Sequence, residues 1–369
     1  MKDEVSLVTK YRPKKLSDVI GQKVVVKAFT NAFKANNMHH AYILAGNYGT
    51  GKTSVARIVA AMDNCEKGRT LEPCLECKNC KEIFSGKSFD VKEIDAASNR
   101  GVDDIRQIHR DLYTCPIQCR TKYVIIDEVH SLTGIAAEAS LKMIEEPPSF
   151  VRFILATTES HRLKSTIHSR CIMWKFNKVN WTEIYSHLDS IAKKEGVKCE
   201  EEALKLAARA ARGSVRDSLQ NLQTMMNYVG DNKITAADAV ESLGGVEQRM
   251  YFELFDGICA KNPLKCYQSI NNILKNGKEA GAVIKDIYSH LDNLLISLVC
   301  KNDLSSFPFS ENEIKKYCHQ SSQFKGLSLM KIMNLMNYVN HGLTVNLDPQ
   351  ILLNKFALEA ILIVKQGGK

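Results

Sequence analysis

Two segments of the chain carry residue types suited to binding and cleaving a nucleoside triphosphate. The first, Gly46-Asn47-Tyr48-Gly49-Thr50-Gly51-Lys52-Thr53, matches the pattern G-x-x-x-x-G-K-[ST] in full. In this pattern the glycines let backbone N–H groups turn toward phosphate, Lys52 reaches the β- and γ-phosphates, and the Thr53 hydroxyl binds Mg²⁺. The segment follows a predicted strand and opens a predicted helix, which is the context that the motif requires. The alternative is a glycine-rich turn with a chance lysine.

The second segment, Val124-Ile125-Ile126-Asp127-Glu128, is an apolar run that ends in two acids. Open α/β sheets bind their ligands at the carboxyl ends of the strands. At such an end Asp127 would hold Mg²⁺, and Glu128 would orient and polarise the attacking water. Alone, the pair could be surface acids after a core strand. Beside a complete phosphate loop, it predicts a site that hydrolyses a triphosphate.

A cysteine cluster follows the phosphate-loop helix. Four of the twelve cysteines lie within sixteen residues, as Cys65-x₈-Cys74-x₂-Cys77-x₂-Cys80. Four thiolates satisfy tetrahedral Zn²⁺, and no ligand position then remains for water, so we predict a structural zinc site. Four unrelated free thiols are the alternative. Structural disulfides are not expected in a reducing compartment.

The elements that position these residues can be predicted from hydrophobic patterning. Five short apolar or alternating runs predict strands, at residues 41–45, 89–94, 122–126, 152–156 and 171–176. Helical patterns separate them, so we predict a mostly parallel five-stranded sheet covered by helices on both faces. After about residue 178 the pattern is helical throughout, with breaks at Gly196, Gly213 and Gly230. We predict three domains: an α/β nucleotide-binding domain at 1–178 with a zinc module at 65–80, a small helical domain at 179–243, and a larger helical domain at 244–369.

Bulk properties exclude some classes of protein. The 369 residues include 44% hydrophobic and 25% charged residues, which is ordinary for a globular protein. No run approaches the ~20 apolar residues that a membrane span needs. The charged N-terminus is not a secretory signal, so we expect a cytoplasmic protein without a membrane partner. The net charge of +9 permits contact with nucleic acid but does not demonstrate it, because a solvated basic surface explains it equally well.

Four motifs, in this order and spacing, resemble the gamma/tau subunits of bacterial DNA polymerase III, which are clamp-loader ATPases of the AAA+ class. They are Asp127-Glu128-Val129-His130, Glu145-Glu146-Pro147-Pro148, Leu155-Ala156-Thr157-Thr158 and Ser169-Arg170-Cys171. The resemblance runs from about Tyr11 to Leu243 and is thin beyond. It implies an AAA+ domain, a helical lid and a helical collar that mediates oligomerisation, with ATP, Mg²⁺ and a structural Zn²⁺ as cofactors.

The resemblance also implies roles for residues at matching positions. Thr158 would sense the γ-phosphate, and Arg216 of the lid would touch the γ-phosphate of its own subunit. Arg170 would act as an arginine finger on the ATP of a neighbouring subunit. Where this phosphate loop has Tyr48, the family usually has arginine. The full set of expected ATP-binding residues is Tyr11, Arg12, Pro13, Val19, Ile20, Gly46, Asn47, Tyr48, Gly49, Thr50, Gly51, Lys52, Thr53, Ser54 and Arg216.

The partners implied by the resemblance are other clamp-loader subunits in a pentamer, a sliding clamp, primer–template DNA, single-strand-binding protein and polymerase. Contacts to DNA would be mostly to phosphate, through Arg100, Arg106 and Lys142. Each of these three could equally be a solvated surface charge. Two other functions stay open: a scaffold subunit that does not hydrolyse ATP, and another AAA+ motor such as a branch-migration helicase. The intact loop and acids disfavour the scaffold, while the Ser-Arg-Cys motif and the zinc module disfavour the helicase.

Overall fold

A computed structural model of the chain describes residues 5–98, 112–132, 143–243, 245–275, 280–300, 311–345 and 347–366. The chain forms two compact units, one within residues 1–198 and 210–227, the other within residues 199–209 and 228–369. These units group helices by packing. The predicted boundaries at residues 178 and 243 therefore stay predictions.

The first unit is built on a sheet that, within its described residues, has five strands. They are β1 (Ala41–Gly46), β2 (Val91–Asp95), β3 (Lys122–Asp127), β4 (Val151–Thr157) and β5 (Ile172–Phe176). The order across the sheet is β2-β3-β4-β1-β5, and all four pairings are parallel. The predicted fold class is confirmed.

Alternate side chains of these strands point to opposite faces of the sheet, and both faces are buried. Tyr42 and Leu44 of β1 pack on one face with helix residues such as Val55 and Ile58. Their neighbour Ile43 packs on the opposite face. A parallel sheet needs helices on both sides because its connections cross over the faces. The strand ends are consequently the places where polar side chains can collect.

The helices of the first unit surround this sheet. They are α1 (Leu7–Lys10), α2 (Lys23–Lys34), α3 (Lys52–Asn64), α4 (Lys78–Ser85), α5 (Ser165–His168), α6 (Trp181–Glu195) and, across the unit boundary at residue 227, α8 (Val215–Val229); single 3₁₀ turns cover Leu16–Asp18, Val129–Ser131 and Ser160–Arg162.

In its described residues, the second unit is helical, as the apolar spacing predicts. Its helices are α7 (Glu201–Ala210), α9 (Ala236–Ser242), α10 (Gly245–Cys259), α11 (Pro263–Lys275), α12 (Ala280–Val299), α13 (Glu311–Ser321), α14 (Gly326–Thr344) and α15 (Pro349–Gln366). Residues from α10 to α15 share one apolar core. No helix in the described part of the chain is both long and apolar enough to cross a bilayer.

Candidate nucleotide-binding site

The phosphate loop connects the end of β1 to the start of α3. Gly49 and Gly51 adopt left-handed backbone conformations, with φ of +68° and +99°, which residues with a Cβ disfavour. The Lys52 side chain is buried, and its Nζ donates to the carbonyl oxygens of Gly46 at 2.8 Å and Asn47 at 3.0 Å. Burial lowers the pKa of Lys52, while the carboxylates of Glu128 and Asp127 oppose that shift. The loop therefore holds an ammonium group at the helix N-terminus, where phosphate binds most readily.

The two predicted magnesium ligands lie side by side. The Thr53 Oγ1 donates to Asp127 Oδ2 at 2.6 Å, joining the start of α3 to the end of β3. Magnesium prefers oxygen ligands and is held in proteins by one or two of them together with substrate phosphates. A hydroxyl and a carboxylate beside a phosphate loop fit that requirement.

Glu128 follows β3 in a left-handed conformation, with φ of 48°. Its Oε2 accepts a hydrogen bond from the Thr158 hydroxyl at 2.9 Å. The Nδ1 of His130 lies 3.2 Å from the same oxygen. The predicted water-orienting residue and the predicted sensor are thus in direct contact at neighbouring strand ends. The motif predicts no role for His130, because only the conformation of the turn after β3 brings its ring back to Glu128.

The start of α8 packs on the phosphate loop. The backbone N–H of Val215 donates to the Gly49 carbonyl oxygen at 2.9 Å. A Cβ built on Gly49 would lie 2.0 Å from Ser214 Oγ and 3.0 Å from Arg216 Cβ. The predicted lid arginine, Arg216, is therefore placed directly beside the loop.

The expected ATP-binding residues that precede the phosphate loop lie on the same unit but differ in their surroundings. The Tyr11 hydroxyl is hydrogen-bonded to Glu195, and burial together with this bond raises the pKa of Tyr11 to about 12. Burial and the nearby guanidinium of Arg57 lower the pKa of Arg12, which also lies within the electrostatic influence of Arg216 and Asp127. Val19 and Ile20 are half-buried.

The predicted arginine finger lies at the surface. Arg170 Nη2 pairs with Glu145 Oε1 at 2.9 Å, and its Nη1 donates to the Thr166 carbonyl oxygen at 2.8 Å. About a third of the Arg170 side chain is exposed. Tyr48 is also exposed, and its ring centre lies 5.7 Å from Lys52 Nζ. The predicted DNA-binding residues Arg100, Arg106 and Lys142 lie outside the described residues.

The four clustered cysteines come together as predicted. The sulfur atoms of Cys65, Cys74, Cys77 and Cys80 all lie within 4.8 Å of one another. Backbone N–H groups of Cys77 and Cys80 donate to the sulfurs of Cys74 and Cys77, each at 3.4 Å. Donation from the backbone N–H groups of Cys77 and Glu76 lowers the pKa of Cys74 to about 6. Four convergent thiols with donors already aimed at the sulfurs fit a tetrahedral zinc ion.

Comparisons with known proteins agree with this geometry. Residues 21–180 match the family described as DNA polymerase III, delta subunit, and residues 183–222 match DNA polymerase III clamp loader subunit, ATPase lid domain. DNA polymerase III subunit gamma of Buchnera aphidicola subsp. Schizaphis graminum is 37% identical over 89% of this chain and 90% of its own length. DNA polymerase III subunit tau of Escherichia coli is 35% identical over 84% of this chain and 49% of its own length. The chain therefore spans most of the gamma relative and about half of the tau relative.

Among solved structures, the Thermotoga maritima RuvB Holliday junction branch migration motor has a TM-score of 0.50. It is 21% identical, and the match covers 67% of this chain and 79% of that chain. An identity this low supports a shared fold and carries no argument about function.

Proposed function

Because the chain belongs to the family of DNA polymerase III gamma and tau subunits, we propose that it is the ATP-hydrolysing subunit of a sliding-clamp loader. ATP binding and hydrolysis would drive opening of a sliding clamp and its placement on primer–template DNA. One observation carries the proposal. The phosphate loop, the Thr53–Asp127 pair and the Thr158–Glu128 pair converge at the ends of β1, β3 and β4.

Different residues of this chain would bind phosphate, hold Mg²⁺ and orient the attacking water. Loop N–H groups and Lys52 would bind the β- and γ-phosphates, replacing the carbonyl contacts that Lys52 now makes. Thr53 and Asp127 would hold Mg²⁺, which supplies charge neutralisation between the phosphates when bound. Glu128 would orient the attacking water, and Thr158 fixes the Glu128 carboxylate. Such positioning and charge stabilisation account for most of the catalysis in this reaction class.

The site of one subunit is completed by the next. The Arg170 side chain is about a third exposed and belongs to the short segment between α5 and β5. It would reach the ATP of a neighbouring subunit in a pentameric assembly and stabilise the transferring phosphoryl group. Arginine fingers of this kind contribute roughly 10³–10⁵ in rate.

Two proposals concern the remaining predicted residues. The cysteine cluster would hold a structural Zn²⁺ rather than a catalytic one, because all four ligand positions are filled by protein. Arg100, Arg106 and Lys142 would contact DNA phosphates, with little dependence on base sequence.

The non-catalytic scaffold remains the second candidate function, and an ATPase assay separates the two. In the complex assembled with its companion subunits and DNA, Lys52→Ala should abolish ATP binding because the loop loses its only ammonium group. Arg170→Ala should leave ATP binding within about twofold but lower DNA-stimulated hydrolysis roughly 100-fold or more.

The control is Lys87→Ala, which removes an exposed lysine from the same unit. It should change neither measurement. Full turnover in the Arg170 variant would contradict the shared site, and absence of turnover in the unmodified complex would favour the scaffold.

A further inference from the structure

A buried polar cluster joins the ends of β3 and β4 beside the phosphate loop. It contains Glu128 and His130, which follow β3, together with Thr157, the last residue of β4, and Thr158, which follows it. Only about a tenth of the Glu128 and His130 side chains is exposed. An ionisable pair this deeply buried must be hydrogen-bonded to be tolerated.

The distances show how the cluster is connected. The Thr158 hydroxyl donates to Glu128 Oε2 at 2.9 Å. Nδ1 of His130 lies 3.2 Å from that oxygen and 3.0 Å from Thr157 Oγ1. Nε2, the other ring nitrogen, points toward the partly exposed Glu159, 3.7 Å from its Oε1.

The chemistry of the carboxylate determines which ring nitrogen carries a proton. Glu128 Oε2, when ionised, offers only lone pairs. An unprotonated nitrogen 3.2 Å away would present a further lone pair and repel it. A hydrogen on Nδ1 removes that repulsion: the ring is then hydrogen-bonded to Thr157 Oγ1 at 3.0 Å and lies 3.2 Å from Glu128 Oε2, within range of electrostatic attraction. Within the described residues, no hydrogen bond is made to the other carboxylate oxygen, Oε1.

The backbone at Glu128 explains why such an anchor is needed. A left-handed conformation is unfavourable for a residue with a Cβ, and Glu128 adopts one, with φ of 48°. Strained backbone of this kind persists only where the surrounding structure over-determines it. The Thr158 hydroxyl donates to Glu128 Oε2, and Nδ1 of His130 lies against the same oxygen, so both rotation of the Glu128 side chain and relaxation of the turn are opposed.

Resting on the proposed ATPase function, we propose that His130 is a positioning residue for Glu128. Its Nδ1–H holds Oε2 against the ends of β3 and β4, so that Oε1 faces the site where water attacks the γ-phosphate. In this role His130 would contact Glu128 and neither the nucleotide nor the attacking water. Its loss should therefore lower kcat and leave nucleotide affinity and KM nearly unchanged, because the phosphate loop is not altered.

Two amide variants separate the two ring nitrogens. In His130→Asn the side-chain N–H₂ occupies the position of Nδ1, so the donor to Glu128 is retained. In His130→Gln the N–H₂ occupies the position of Nε2, so the donor points toward Glu159. Both are polar and comparable in size, so a general packing defect would affect them alike.

The measurement is steady-state ATP hydrolysis by the assembled complex, together with binding of a fluorescent ATP analogue. The Asn variant should keep kcat within about threefold, and the Gln variant should lose about tenfold or more, the size expected for a hydrogen bond to a charged group. KM and analogue affinity should stay within about twofold in both. In a Glu128→Gln background, the difference between the Asn and Gln variants should vanish in single-turnover assays.

Equal kcat values for the two variants would overturn the inference, as would a difference that persists without the Glu128 carboxylate. A misfolded Gln variant is recognised by loss of analogue binding. His130→Leu, which has no donor at either position, then takes its place with the same expected loss. If the unmodified complex hydrolyses no ATP, the proposed function fails first. If the unmodified complex hydrolyses ATP and the Asn variant loses as much kcat as the Gln or Leu variant, the ATPase function stands and only the role of His130 is refuted.

Discussion

At the residue scale, the close approach between Gly49 and the start of α8 makes a sharp test of the phosphate loop. Gly49→Ala should lower ATP affinity about tenfold or more and cost roughly 1–2 kcal/mol of stability from the left-handed backbone alone. The reason is steric, since the new Cβ would lie 2.0 Å from Ser214 Oγ and 3.0 Å from Arg216 Cβ. The loop or the Arg216 segment must then move. Equilibrium binding of an ATP analogue measures the effect.

Gly196→Ala is the matched control for this substitution. Gly196 has nearly the same backbone conformation, with φ of +71°, but a Cβ there meets no atom within 4 Å. The control should show a similar backbone cost and unchanged ATP affinity. Equal affinities for the two variants would mean that contact between the loop and α8 does not shape the site.

The residue types of the motifs predict which side chains would contact phosphate, but not how each side chain is held. The motifs predict that Thr53 and Asp127 meet at one ion, and the two are in contact. The motif containing His130 gives no hint that its ring returns to Glu128. That contact depends on the left-handed turn at Glu128, a non-glycine conformation that residue type does not signal.

At the element scale, α3 links the phosphate loop to the cysteine cluster. Lys52 and Thr53 open this helix, and Cys65 follows its last residue, Asn64. The Asn64 side chain makes two hydrogen bonds to the backbone of Thr121. Asn64 Nδ2 donates to the Thr121 carbonyl oxygen at 2.9 Å, and the Thr121 N–H donates to Asn64 Oδ1 at 3.0 Å. The C-terminal end of α3 is therefore fixed to the chain just before β3 and lies next to a proposed metal ligand.

Loss of one zinc ligand should consequently loosen the first unit. Cys80→Ser should reduce bound zinc from about one ion per chain and lower Tm by roughly 5 °C or more, because the binding energy of a structural metal is folding energy. Elemental analysis and calorimetry of the full chain measure the two effects. Cys115→Ser, at an exposed cysteine outside the cluster, should change neither. A zinc content that is unaffected by Cys80→Ser would refute the four-thiolate site.

Strand positions were predictable because a buried parallel strand has a short run of apolar residues. Strands β1, β3 and β4 begin and end within a residue or two of the predicted runs. Their lateral order was not predictable. Strand β1 lies between β4 and β5, far from β2, because long crossovers separate sequence neighbours. The period of the hydrophobic residues does not indicate on which side of a strand the next strand of the sheet is added.

At the scale of the whole molecule, the helices after residue 178 are predictable from the sequence, but their packing partners are not. Apolar spacing correctly predicts helices beyond residue 178, and α10 to α15 share one core. The spacing does not reveal which helices pack together. Helices α7 and α9 are assigned to the second unit, whereas α6 and most of α8 belong to the first. Packing partners depend on side-chain shape across distant segments, which a one-dimensional pattern does not encode.

The core of the second unit contains a histidine that links stability to pH. His290 is buried, its ring stacks on Phe255 with centres 4.8 Å apart, and its Nε2 lies 2.8 Å from Gln320 Oε1. Burial lowers the pKa of His290 from its ordinary 6.5 to about 4, although the bond to Gln320 opposes the shift. The folded state therefore keeps this ring neutral where an unfolded chain would bind a proton.

The sign of the pH dependence follows from proton linkage. Between pH 6.5 and about 4 the unfolded chain binds more protons at His290, so the contribution to stability is complete above pH 6.5 and is lost as pH falls toward 4. The loss between pH 7.5 and 4.5 should be roughly 2–3 kcal/mol. Urea unfolding at the two pH values measures this loss. Hydrogen exchange of the α12 amides assigns the change to the second unit.

His290→Gln should remove this part of the pH dependence, whereas His319→Gln, at an exposed position on α13, should retain it. If wild type and the His290 variant lost stability equally on acidification, the ring would not titrate as its burial requires, and other groups would have to account for acid sensitivity.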